Sequence, residues 1–342
     1  MVIQGLTGSI IAFEPELDRA FHPHLSYIKP QGQSLPIKEI TDAVSRQLGG
    51  EAIVAYAPSL SPDISSEVFL ASGVAYVDQY TGELLGVRAR GQTFLGYVRA
   101  LHVRLGLGTI GRNILRWSAV AALFSAVSGL YLWWPIKRMS VRARDESRRF
   151  WFDLHNVIGI YSLLPLALLA VSGVILGFED QAASLIYKLT RSGPTQISHS
   201  PHKTTVGTAF VNADDAVAIA RSHMPGAVPY RVQMPRYGGL YQVGLLYPQD
   251  KIAGSRNVVV LDPVDGTVVS FGRASDLSRG DWILAANEAV HTGEILGLPS
   301  RVVACLASMF IGVQALSGAF IWLYRNRILQ TAVCTPTEEP SA

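Results

Sequence analysis

Two of the chain's eight histidines head closely matching stretches. From His102 the chain reads HVRLGLGTIGRNILRWSAVAALFSAVSGLYLWW, and from His291 it reads HTGEILGLPSRVVACLASMFIGVQALSGAFIWLY. Counted from each histidine, a Gly lies six residues on (Gly108, Gly297) and an Arg ten on (Arg112, Arg301). A Ser-Gly pair follows at 26 and 27 (Ser128-Gly129, Ser317-Gly318) and a Trp at 31 (Trp133, Trp322), with no gap. A neutral imidazole is a common metal ligand. Two imidazoles set at one distance from two similar hydrophobic segments suggest a pair of ligands made by duplication. A histidine at a helix end can instead cap the helix or snorkel to a membrane surface, and an arginine there can simply anchor a span.

The elements that would carry these residues are membrane spans. Of 342 residues, 49% are hydrophobic and 16% charged, against roughly 25% charged in an average soluble domain. Three stretches pass the length of ~20 apolar residues needed to cross a bilayer: Ile114–Trp134, with Arg116 as its only charge, and Val157–Phe178 and Val302–Tyr324, with none. The net charge of +3 says little, but residues 137–149 hold six Lys/Arg against two acids, and Arg325 and Arg327 close the last span. Short basic connections stay cytoplasmic. The two long inserts, about 14–100 and 179–299, then lie on the opposite side, the periplasm in a bacterium. Trp133, Trp134 and Trp322 fall where interfacial aromatic belts belong, and the Ser-Gly pairs suit close helix contact.

The first residues resemble the third span. LTGSIIAFEPELD aligns with AVSGVILGFEDQA, so that Thr7-Gly8 matches Ser172-Gly173 and Phe13-Glu14 matches Phe178-Glu179. His155 precedes Ser172 by 17 residues, which sets the counterpart of His155 about ten residues upstream of Met1. The expectation is a chain that begins in mid-helix, within the first of four spans. The order is span, insert, span, twice over, split near residue 145. Each insert offers a short amphipathic helix, near 37–49 and 212–224, then strand-like segments ending in a turn, VAYVDQYTGELLG and VVVLDPVDGTVVS. Asp78 and Gly82 match Asp262 and Gly266, each Gly suited to a positive-φ turn position. A helix followed by a small antiparallel meander is expected in both.

LH-x-x-L-x-LG-x-x-G…SGLYLWWP, then FDLHNVIG, then VHTGEILG, with VDxxTGE-type inserts between, resemble the PepSY-associated transmembrane family over all but the tail TPTEEPSA. The resemblance implies an integral membrane α-helical bundle of four spans by duplication, the first incomplete, with two periplasmic α+β PepSY-like inserts. The expected divisions are 1–13, partial first span; 14–100, first insert; 101–136, histidine segment and second span; 137–150, basic cytoplasmic loop; 151–178, third span; 179–290, second insert; 291–325, histidine segment and fourth span; 326–342, cytoplasmic tail.

That family includes inner-membrane proteins of bacterial iron uptake, among them di-haem ferric-siderophore reductases. Haem b would be held through histidines at span ends: His102 and His291 as axial ligands of an outer haem, and His155 as ligand of an inner one whose partner lies upstream of Met1. Two haems are expected of the full-length protein. Glycines near the ligands would let a flat macrocycle approach the backbone, and Arg112 and Arg301 would meet haem propionates. The activity implied is a ferric-chelate reductase-type oxidoreductase in the bacterial inner membrane. A cytoplasmic or quinol donor would supply electrons, a ferric siderophore or other ferric chelate would accept them, and the inserts would cap the acceptor site. Tyr230, Tyr237 and Tyr241 are the aromatic candidates there, although strand packing explains them equally well. The alternative is a membrane-anchored regulatory or protease-inhibitory protein in which the inserts do the work and the spans only hold them.

Cys305 falls in the last span and Cys334 in the tail, and no CxxC or CxxCH occurs, so any haem is non-covalent. His22, His24, His199 and His202 read as surface-loop residues, because no Cys or carboxylate completes a zinc-type set; His223 reads as an ordinary helix residue. The chain has no P-loop, no GxGxxG after a strand and no GxSxG. No nucleotide, flavin or nucleic-acid partner is expected.

Overall fold

The structure, a computed structural model, describes residues 1–89, 93–137, 139–141, 148–195, 198–199, 211–235, 239–248 and 257–333. Tyr237, His202, Cys334 and much of the basic run (138 and 142–147) lie outside the described residues. The first half contains α1 (Val2–Ile11), α2 (Glu14–Phe21), α3 (Pro23–Ser26), α4 (Ile37–Gln47), β1 (Ile53–Ala57), β2 (Ser66–Leu70), β3 (Gly73–Val77), β4 (Leu84–Ala89), α5 (Phe94–Arg104) and α6 (Gly108–Trp133). The second half runs α7 (Arg148–Gly177), α8 (Glu179–Thr190), β5 (Ser198–His199), α9 (Ala213–His223), β6 (Val228–Gln233), β7 (Tyr241–Leu246), β8 (Asn257–Leu261), β9 (Val268–Gly272), α10 (Arg279–Thr292) and α11 (Leu298–Val333). Contacts divide the chain into two compact units.

One unit is helical and comprises Met1–Ala12, Val98–Ala182 and Asn287–Ala342. Three of its helices are long and apolar enough to cross a membrane: Gly108–Trp133, Arg149–Gly177 and Leu298–Arg325, of 26, 29 and 28 residues. They outrun the apolar cores visible in the sequence because polar residues such as Arg112 and Asn113 continue the helix beyond them. α1 is apolar but has only ten residues, about 15 Å of rise; among the described residues three helices reach span length, the first of the four expected spans having been expected to be incomplete. Helix α11 packs against both α7 and α1, and α7 also packs against α6. Small residues let these helices close up. A methyl group on Gly5 would stand 2.6 Å from the carbonyl oxygen of Ser308 and 2.9 Å from the amide of Gly312, and one on Gly177 would stand 2.9 Å from the Cβ of Arg116.

The other unit comprises Phe13–Tyr97 and Ala183–Ala286. Its two meanders do not form separate sheets. They join edge to edge in one nine-stranded sheet, β4-β3-β2-β1-β6-β7-β8-β9-β5, through antiparallel pairing of Ala55 with Gln233 and Tyr56 with Val232. The strand edge of each copy is thereby covered by the other. Ile40 and Val44 of α4 bury against Tyr56, Val68, Leu70 and Val77, and Ala216, Ala220 and Met224 bury against Val232, Val243, Leu245 and Leu261. Ile37 and Met234 pack on both clusters. The matched turns behave alike: Asp78 and Asp262 accept from the amides of Tyr80 (2.8 Å) and Val264 (2.6 Å), and Gly82 and Gly266 take φ of +73° and +75°.

A carboxylate couples the two copies. The first amides of α4 have no partner within their own helix, and those of Ile37 and Lys38 donate to Asp214 of α9 at 2.7 and 2.9 Å. Replacing Asp214 by Ala removes both acceptors and is expected to cost about 1–2 kcal/mol, with Asp214→Asn, which keeps one oxygen, costing less. Calorimetric unfolding of the detergent-solubilised chain measures this; equal midpoints for wild type and Asp214→Ala would show that the cap contributes nothing.

Candidate functional site

His102 and His291 each lie in the last turn of a short helix that breaks before a span begins. After α5 the chain turns through Leu105 and Gly106, at φ of +52° and +69°, with the Leu105 amide donating to Leu101 and the Gly106 amide to Ala100. The first bond is the last of the helical i→i−4 series, and the positive φ of the two residues turns the chain out of the helix. After α10, Gly293 takes φ +79° and a 3₁₀ turn, Glu294–Leu296, leads to Gly297. The matched glycines Gly108 and Gly297 have φ of +56° and +70° and nothing within 4 Å of where a side chain would begin. Backbone conformation accounts for them; the expected role in admitting a macrocycle is not needed to explain their recurrence.

These breaks bring the two histidines together. Their ring centroids lie 6.3 Å apart with planes inclined at 50°. Each ring is held from a different helix by a hydroxyl. His102 Nδ1 lies 3.0 Å from Thr7 Oγ1 of α1, and His291 Nδ1 lies 2.9 Å from Ser172 Oγ of α7. The glycine after each hydroxyl lies close to the same ring, since a methyl on Gly8 would meet His102 Cε1 at 3.1 Å and one on Gly173 would meet His291 Cε1 at 3.6 Å. A metal bound axially by two imidazoles, with metal–nitrogen bonds of about 2.0–2.1 Å and about 1.1 Å from nitrogen to ring centre, spaces the centroids about 6.2 Å apart. The observed pair has that spacing, and both Nδ1 atoms are already engaged.

His155, in the first turns of α7, repeats the arrangement. Its Nδ1 lies 2.9 Å from Ser317 Oγ of α11, and a methyl on Gly318 would stand 3.5 Å from its Cε1. The ring lines a cavity of about 380 Å³ together with Gly129, Trp133, Gly159, Gln314 and Gly318, inside the usual range of small-molecule sites. The fourth Ser-Gly pair, Ser128-Gly129, thus contributes its glycine to the cavity wall.

Other residues singled out by sequence fall elsewhere. Arg301 directs Nε and Nη2 at the carbonyl of Ala12, 3.0 and 2.8 Å away, where a cation complements a helix C-terminus. Arg112 is exposed on α6. The two matched arginines therefore have different surroundings. Tyr241 is buried beneath α9, and Tyr230 lies against Gly244 of the neighbouring strand, so sheet packing explains both. Sequence reading missed Thr7, Ser172 and Ser317 as partners of histidine. Their signal was visible as the recurring Ser/Thr-Gly pair, taken only as a packing feature.

Burial favours the neutral form of both paired histidines. It lowers the pKa of His102, helped by Arg99, and it lowers that of His291 to about 4, helped by His102. Because the folded value of His291 lies below the ordinary 6.5, the unfolded chain takes up the proton first. Stability from this group is complete above about pH 6.5 and is lost as pH falls toward 4, by an amount on the order of 3 kcal/mol. Unfolding midpoints of haem-free protein in detergent should fall between pH 7 and 4.5, and His291→Gln should flatten that slope; parallel curves for the two proteins would contradict a buried neutral ring.

No curated protein matches the chain. The family model described as the PepSY-associated TM region matches residues 1–325. With both histidine segments, all three span-length helices and the whole sheet inside that match, the chain belongs to the PepSY-associated transmembrane family and is a membrane protein.

Proposed function

We propose that the chain is a b-type haem-containing inner-membrane reductase that delivers electrons to a periplasmic ferric siderophore or other ferric chelate. The observation that carries this reading is the 6.3 Å pairing of His102 with His291, each ring braced by a hydroxyl from another helix. A protein whose spans served only as an anchor would have no use for two buried imidazoles at axial-ligand spacing. In this reading His102 and His291 hold an outer haem and His155 holds an inner one from one side. Arg112 is the free-standing candidate for a propionate contact, while Arg301 already serves the end of α1. Bound haem would supply one-electron transfer through the bundle.

The chain's own residues do the rest. Thr7 and Ser172 orient the outer rings, and the apolar spans exclude water from them. The basic run at 137–149 and Arg325 and Arg327 set those ends on the cytoplasmic side, which puts the inserts in the periplasm and the C-terminus in the cytoplasm. One electron from a cytoplasmic or quinol donor converts Fe(III) in the chelate to Fe(II). Hard oxygen donors hold Fe(II) much less tightly, so reduction releases the iron for uptake.

Protein purified after expression with adequate haem should show a Soret band and a low-spin bis-imidazole spectrum, and its reduced form should be reoxidised by a ferric siderophore. His102→Ala and His291→Ala should each remove the outer-haem signal and slow that reoxidation roughly tenfold or more. Colourless protein would sink the proposal and favour the membrane-anchored regulatory reading.

A further inference from the structure

Thr7, Ser172 and Ser317 share a geometry that packing does not require. All three are buried, at 6%, 1% and 0% exposure. A hydroxyl has one proton to donate, and each of these already points its proton at a carbonyl of its own helix: Thr7 at Ile3 (2.6 Å), Ser172 at Leu169 (3.0 Å) and Ser317 at Val313 (2.7 Å). With the proton spent there, the hydroxyl oxygen is left as an acceptor, and the imidazole nitrogen facing it must be the donor.

We infer that Thr7, Ser172 and Ser317 are positioning residues that lock His102, His291 and His155 in the Nδ1–H tautomer, so that each ring presents a bare Nε2. A neutral imidazole carries its proton on one nitrogen only, and the hydrogen bond at that nitrogen decides which one is left to bind. The glycine that follows each hydroxyl keeps the ring edge within reach of the helix. The tautomer follows from this chain's contacts alone; that Nε2 then meets haem iron rests on the function proposed above.

The test is ¹⁵N NMR of chain labelled at histidine, haem-free, in detergent at pH 8, with the three rings assigned by loss of signal in His102→Asn, His155→Asn and His291→Asn. The expected result is protonated Nδ1 and bare Nε2 in all three rings. Thr7→Ala, Ser172→Ala and Ser317→Ala should each shift only the partnered ring toward the Nε2–H form, with Thr7→Ser and Ser172→Thr retaining the wild-type pattern. Protonated Nε2 in the wild-type rings overturns the inference with no variant needed, and so does an alanine variant that leaves its ring unchanged. In haem-loaded protein the alanine variants should lower haem affinity roughly 10–100-fold. They should also move the haem midpoint potential to more positive values, since a ring that loses its acceptor donates less charge to iron. Nδ1–H rings in a chain that takes up no haem would uphold the positioning role and sink the cofactor; bound haem with Nε2–H rings in the haem-free chain would do the reverse.

Discussion

A ring nitrogen buried among apolar helices must be hydrogen-bonded, or its desolvation counts fully against the fold. At these three rings the partner comes from another helix. The chain supplies it with a side chain small enough not to hold the helices apart. Thr7 of α1 reaches His102 of α5, Ser172 of α7 reaches His291 of α10, and Ser317 of α11 reaches His155 of α7. Each bond joins two helices, and each is followed in sequence by a glycine that lets the ring lie against the helix. Orientation of the rings, spacing of the helices and the choice of small residues therefore express one constraint.

Duplication turns that constraint into a site. Thr7 and His102 both belong to the first half, and Ser172 and His291 to the second, so each half braces its own imidazole. The 6.3 Å pair exists only where the halves meet. The sheet unit follows the same rule: each half builds its own helix-and-meander layer, yet the contacts at its centre, β1 with β6 and Asp214 with the start of α4, need both.

Much of this was legible in the sequence because the repeat kept its spacing. The equal offsets to Gly108 and Gly297 reported two matching positive-φ positions between the histidine helices and the spans, and Asp78…Gly82 and Asp262…Gly266 reported matching turns. The amphipathic helices fell close to their expected places, as α4 and α9. The joining of the two meanders was not legible, since an edge strand carries no mark of which partner it will accept. The hydroxyl partners were hidden for another reason. Ser and Thr beside Gly serve helix packing in many membrane proteins, and only three-dimensional placement shows that each one faces an imidazole. Arg112 and Arg301 show the opposite error, where equal spacing concealed unequal surroundings.

Helix α7 is the element through which the two ends of the bundle are related. It carries a histidine near its start, His155, and near its end the hydroxyl that faces His291, Ser172. Seventeen residues separate them, about 26 Å of helix. Pro165 lies inside this stretch; it removes one backbone hydrogen bond and is a usual cause of a bend, which the packing of α6 and α11 on either side of α7 must accommodate. Because one helix holds both groups, their separation is set by covalent rise and not by the looser fit between helices. A bend at Pro165 would then re-aim one imidazole relative to the other while scarcely changing the path between them. The rings of His102 and His291 stand on short helices that end before the spans begin.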